Sequence, residues 1–206
     1  MSDELKQETT GAEENAAPET KEEDGKKKKI TKEDIIKETV SWIETIVFAV
    51  VFAFLITTFL IVNAKVPSAS METTVMTGDR LIANRLSYKL SKPERYDIVV
   101  FKFPDDESKL YIKRIIGLPG DTVNIRNGHV YINDSTEPLR EDFLHEPMRT
   151  EDATFVVPEG HYFMMGDNRN HSSDSRFWEN KFVAEDKILG KAAFRYFPVK
   201  SIGPVK

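Results

Sequence analysis

The chain of 206 residues has no cysteine. That excludes a disulfide framework, a thiolate zinc site, an iron–sulfur cluster and a cysteine nucleophile. Histidine is scarce too. His129, His145, His161 and His171 are the whole complement, and none stands at a short metal-ligand spacing from another. No metal or other cofactor is expected. A sustained charge of one sign is also missing from most of the chain. Acids dominate the first 25 residues and lysines the next stretch, but from residue 63 onward the two signs nearly cancel. Such a region has no electrostatic footprint for nucleic acid.

Large apolar side chains are nearly absent from residues 1–29, so that stretch cannot bury enough surface to offset chain entropy and is expected to be disordered. The run Lys26-Lys27-Lys28-Lys29 reads as a juxtamembrane basic cluster rather than a nucleic-acid signal. Residues 1–39 together make a cytoplasmic tail. Residues 40–62 then carry one charge, Glu44, and from Thr45 to Val62 there is no charge, proline or glycine. Some twenty residues at ~1.5 Å each match a hydrocarbon core of ~30 Å, and the apolar surface runs all the way round the helix. The run is too long and starts too late for a cleaved signal peptide. A single transmembrane helix is expected. Lysines cluster before it, which keeps the amino terminus in the cytoplasm and puts residues 63–206 outside.

That outer part reads as a mainly β domain. Residues 97–103, 110–116, 122–126, 129–133, 161–165 and 188–197 are β-rich, and Asn127-Gly128 is a strong hairpin signal. Residues 134–152 are polar and irregular. The helical candidates are short, near Arg80–Leu90 and Ala184–Lys187.

Two stretches invite chemistry: Val66-Pro67-Ser68-Ala69-Ser70-Met71, just past the span, and Tyr111-Ile112-Lys113-Arg114-Ile115-Ile116-Gly117. Strand alternation puts Lys113 with Tyr111 and Ile115, and Arg114 with Ile112 and Ile116. One of the two cations therefore shares a face with large apolar side chains. A buried Lys113 would have a lowered pKa and could act as a general base. The alternative is that both cations snorkel at a sheet edge. The acids Asp105-Asp106-Glu107 read as a solvated loop. Trp42 reads as an interfacial anchor, and Trp178 as packing near Asp174 and Arg176. Phe194, Tyr196 and Phe197 make either a membrane-side patch or core. His171, Ser172 and Asp174 lie too close in sequence to converge as a triad.

Five segments, in order, carry a family resemblance: the apolar span; Pro67-Ser68-Ala69-Ser70-Met71; Gly78-Asp79-Arg80-Leu81-Ile82; Tyr96-Asp97-Ile98-Val99 leading to residues 111–121; and Gly166-Asp167-Asn168-Arg169-Asn170-His171-Ser172-Ser173-Asp174-Ser175-Arg176. With these the chain resembles bacterial type I signal peptidases, membrane-bound serine proteases with a Ser–Lys dyad. One span and a short gap between Tyr111 and Phe155 resemble the compact Gram-positive form. The resemblance implies an antiparallel β-sheet or barrel behind the helix, and cleavage of exported preproteins after small-x-small. Their signal peptides, the lipid bilayer and the secretion machinery become the expected partners, and the cell membrane the expected location.

By motif position, the resemblance makes Ser70 the nucleophile and Lys113 the general base. Ser68 supplies an oxyanion-hole hydroxyl and Ser172 orients the lysine amine. Asp174 and Arg176 form a propping ion pair, with Asp167 in the same supporting segment. Val66, Met71, Val75 and Ile112 fall where the family shapes its substrate pockets. After Met71 the family commonly has a residue, then Pro-Thr-Leu; here the run is Glu72-Thr73-Thr74-Val75. A membrane-anchored β-domain that binds exported or envelope proteins without catalysis is the competing expectation. Eight residues from Val62 put Ser70 within ~29 Å of the end of the span, at ~3.6 Å per residue.

Overall fold

The computed structural model describes residues 31–205, so the expected tail lies, through residue 30, outside the described residues. The described residues divide into two units, with the boundary between Thr45 and Ile46.

Helix α1 (Lys32–Phe59) starts well before the apolar run. Its first turn explains why. The Asp34 N–H donates to Thr31 Oγ1 at 3.2 Å and the Thr31 N–H donates to Asp34 Oδ2 at 3.0 Å, a reciprocal cap that nucleates helix among polar residues. Hydropathy alone does not register that cap, so the expected start at residue 40 is too late. None of the described α1 side chains is buried within the chain. It is long and apolar enough to cross a membrane.

The helix ends at Phe59, and the last apolar residues of the run turn into strand. β1 (Ile61–Lys65) pairs antiparallel with β2 (Arg80–Asn84), burying Val62 and Ala64. The expected helix near Arg80 is therefore confined to α2 (Ser87–Leu90). Leu81 and Ala83 alternate with Arg80, Ile82 and Asn84, and period two wins.

The remaining strands are β3 (Ile98–Phe103), β4 (Asp106–Gly117), β5 (Thr122–Arg126), β6 (His129–Ile132), β7 (Ala153–Val156), β8 (His161–Met165), β9 (Val183–Ala184), β10 (Ile188–Phe197) and β11 (Gly203–Pro204). The larger sheet runs β1-β2-β10-β3-β4-β8-β9, with β11 beside β10; the smaller runs β6-β5-β7. All its pairings are antiparallel. The β5–β6 hairpin turns on Asn127 and Gly128, with φ of 48° and 76°, as two positive-φ residues require. A side chain at Gly128 would also meet the Met148 backbone oxygen at 2.5 Å.

Three apolar clusters fill the domain. One joins Val66, Met71, Val75, Leu81 and Ile112 under the β1–β2 end. A second gathers Val99, Phe101, Ile115, Tyr162 and Trp178. The third joins the sheets through Ile116, Val123, Ile125 and Phe163. The long strand β4 contributes one isoleucine to each cluster. That places its centre where the three cores meet.

Candidate active site

Ser70 sits in a 3-10 turn, Ala69–Met71, at the tip of the loop after β1. The loop is closed at its base. The Val66 N–H donates to the Asp79 carbonyl, and the Gly78 N–H to the Val66 carbonyl, both at 2.9 Å. Asp79 is buried, and its carboxylate accepts from Arg195 at 2.8 Å and from the Met76 N–H at 2.9 Å. Met71 is anchored in the core beside the turn. Ser70 is thus carried by a loop with little freedom.

Lys113 comes from the middle of β4. Its Nζ lies 2.5 Å from Ser70 Oγ, although 43 residues separate them. Both side chains are buried, Lys113 to 3% exposure. Burial pushes the lysine pKa down to about 8, against the upward pull of the carboxylates of Asp174 and Asp167. Each of those carboxylates is occupied by an arginine. Arg114 donates to both Asp167 oxygens at 2.8 and 2.7 Å, and Arg176 to both Asp174 oxygens at 2.8 and 2.9 Å. These bidentate pairs direct the carboxylates at guanidinium groups rather than at the lysine amine. Neither Lys113 nor Arg114 snorkels: Lys109, nearer the start of β4, is exposed, but these two are buried, each against its own partner.

The segment 166–176 holds the two halves together. The Asn168 N–H donates to the Ser70 carbonyl, and its side-chain amide to the Ala69 carbonyl, both at 3.1 Å. Asp174 accepts from the Gly166 N–H at 3.0 Å, and Arg169 donates to the Gly166 carbonyl at 3.1 Å. Arg169 is paired with Glu141 from the irregular stretch between β6 and β7. Phe143 of that stretch lies under the Arg114 guanidinium, 4.1 Å from it. Sequence reasoning gave no role to Asn168, Gly166, Arg169, Glu141 or Phe143. The family resemblance marked the segment, but not its partners.

Ser68 Oγ stands 3.3 Å from Ser70 Oγ. The Ser172 hydroxyl is buried against Gly166 with no hydrogen-bond partner among the described residues, so in this arrangement it does not hold the lysine amine. A cavity of about 330 Å³ opens over the dyad. Val66, Met71 and Ile112 line it, as do Leu110, His171 and Ser173. Val75, expected there as well, is fully buried in the first core and is not among the lining residues. Its N–H bonds the Met71 carbonyl, and that turn carries the side chain inward. Trp178 packs against Phe101, Phe103 and Tyr111, with its backbone N–H on the Asp174 carbonyl.

Beside the cavity, β4 offers an open edge. One side of Leu110–Lys113 pairs with β3, while β8 joins the other side only from Arg114 onward. An extended chain can add there. Among the described residues no three His, Asp or Glu side chains gather as a metal site.

A buried amine on a serine hydroxyl, in a chain that also carries a long apolar helix, agrees with what related proteins are. Residues 39–197 match the family model for signal peptidase, peptidase S26. A probable signal peptidase I-2 from Synechocystis is 42% identical over 189 residues, covering 83% of this chain and 84% of its own. Signal peptidase IB of Staphylococcus aureus is 33% identical over 178 residues, covering 79% of this chain and 91% of its own. A signal peptidase I structure from Enterococcus faecalis is 38% identical, with a TM-score of 0.43, over 49% of this chain and 97% of its own. The chain belongs to the signal peptidase family, peptidase S26.

Proposed function

We propose that this chain removes N-terminal signal peptides from exported preproteins, with Ser70 as nucleophile and Lys113 as general base. The observation that carries the assignment of roles is the 2.5 Å contact between Lys113 Nζ and Ser70 Oγ in a buried setting. A serine hydroxyl is a weak nucleophile until a base takes its proton, and a lysine can be that base only while uncharged.

The proton of Ser70 passes to Lys113 as Oγ bonds the scissile carbonyl carbon. The negative oxygen that forms is met by the Ser70 N–H, which has no acceptor inside its short turn, and by the Ser68 hydroxyl. Lys113 then gives its proton to the leaving nitrogen as the C–N bond breaks. The signal peptide stays as an ester on Ser70. Water, deprotonated by Lys113, attacks that ester and releases a carboxylate. Asp167, Asp174 and Arg176 keep the frame in register.

The substrate lies extended along the open edge of β4, with small side chains at −1 and −3 against Val66, Met71 and Ile112. Helix α1 crosses the cell membrane with its lysine-rich side in the cytoplasm. Eleven residues from Phe59 to Ser70 limit the reach of the nucleophile to ~40 Å from the lipid, at ~3.6 Å per residue. Signal peptides, delivered by the secretion machinery and retained in the bilayer, present their cleavage site in that zone.

The test uses the full chain in detergent micelles with a preprotein. Cleavage after small-x-small, read by sequencing the new amino terminus, is expected. Undiminished cleavage by both Ser70→Ala and Lys113→Met would falsify the dyad.

A further inference from the structure

A second cavity, of about 520 Å³, lies at the foot of α1 and is unrelated to the dyad. Thr58 and Phe59 of the last helical turn line it, with Arg85, Lys89, Glu185 and Asp186. We propose that it binds the phosphate of an anionic phospholipid headgroup through Arg85 and Lys89.

The placement is fixed by backbone bonding. The Arg85 N–H donates to the carbonyl of Leu60, the first residue after the helix, at 3.0 Å. The next residue back, Asn84, is paired with Ile61. Arg85 is therefore tied to the level at which α1 ends. If α1 spans the bilayer, that is the level of the headgroups. Lys89 follows about one helical turn later, in α2.

The cavity holds two acids as well as two bases, but they are not bonded to each other. Glu185 accepts from the Tyr162 hydroxyl at 3.3 Å, and Asp186 lies 3.9 Å from Lys187. Among the described residues the Arg85 side chain donates only a long bond of 3.4 Å to the Ile61 carbonyl. Among the described residues neither Arg85 nor Lys89 makes an ion pair. Two unspent cations at headgroup depth call for an anion, and a bilayer offers lipid phosphate. Exposed Leu86 and Leu90 flank them, which suits contact with acyl chains rather than with a free anion.

The inference rests on the membrane reading of α1, and the experiment separates the two. The full chain is reconstituted in phosphatidylcholine nanodiscs holding a minor fraction of phosphatidylglycerol. It is then extracted gently, and the lipids retained per chain are counted by native mass spectrometry. Two cations at the surface give an expected enrichment of phosphatidylglycerol of roughly twentyfold or more at low salt. Arg85→Gln with Lys89→Gln should bring it close to one. Exposed Lys89→Glu alone should lower it several-fold, and Arg126→Gln, on the smaller sheet, should leave it unchanged. The double variant should still cleave preprotein in detergent. No enrichment, enrichment surviving the double variant, or displacement by millimolar inorganic phosphate overturns the headgroup site. Failure of the wild-type chain to enter the bilayer overturns the membrane reading and the site with it.

Discussion

A β-carbon added to Gly166 would stand 2.3 Å from the backbone oxygen of Ser70, and equally close to Ser172 Oγ. The nucleophile turn and the segment after β8 touch through the space a side chain would fill. Gly166→Ala must displace Ser70 or Ser172. A shift of ~1 Å at a nucleophile costs on the order of a hundredfold in rate. We expect kcat/KM to fall at least that far, alongside a loss of about 1–3 kcal/mol in denaturant unfolding from overpacking. Unchanged kcat/KM under conditions where the variant stays folded would mean that the contact is only packing.

Lys113→Met keeps the shape of the side chain and removes its charge. Cleavage should drop by about 10⁴-fold or more, as when a triad member is lost. Stability should hold or rise, because a buried amine is no longer desolvated. Rate assays paired with denaturant unfolding check both halves.

The same amine sets a pH dependence. Its pKa is lowered to about 8, and the active base is the deprotonated form, so the active fraction grows as pH rises through 8. Below that, kcat/KM should fall about tenfold per pH unit. A profile that stays flat from mildly acid to alkaline pH contradicts a neutral lysine.

Ser68→Ala removes a hydroxyl 3.3 Å from Ser70 Oγ. If it serves the oxyanion, kcat should drop by ~10²–10³ with KM nearly unchanged. Steady-state kinetics on a preprotein series separates this from a binding defect, which would raise KM instead.

Glu141→Ala leaves the Arg169 guanidinium buried without its carboxylate. Breaking a buried pair from one side costs about 3–5 kcal/mol. The unfolding midpoint should fall accordingly, although Glu141 lies far from Ser70 in sequence. No shift would show that the stretch between β6 and β7 is dispensable.

Local signals in the sequence gave the local structure. Asn127-Gly128 named its own hairpin, because only certain residues accept positive φ at both positions. The apolar run named a helix, yet its edges moved. Thr31 and Asp34 capped it early, and Val62 was claimed by a strand partner twenty-one residues on. β7 (Ala153–Val156) was read as nothing, being four residues long with Val156 facing solvent. At the site, alternation along β4 showed that one of Lys113 and Arg114 had to share a face with large apolar side chains. Where their charges go was not legible. Ser70 and Asp167 lie 43 and 53 residues away, and only the closed sheet brings them near. The family motifs supplied Ser70 and Lys113, but gave Val75 a pocket role that its inward turn denies. They also gave Ser172 a bond to the amine that is not made here.

The reactive pair is assembled from a loop after the first strand, the middle of the fourth, and a brace after the eighth. No fragment of the domain owns all three. Until those strands have paired, the chain carries a free alcohol and an ordinary solvated lysine. The 2.5 Å contact between the two side chains is a property of the closed sheet and of no local stretch of sequence.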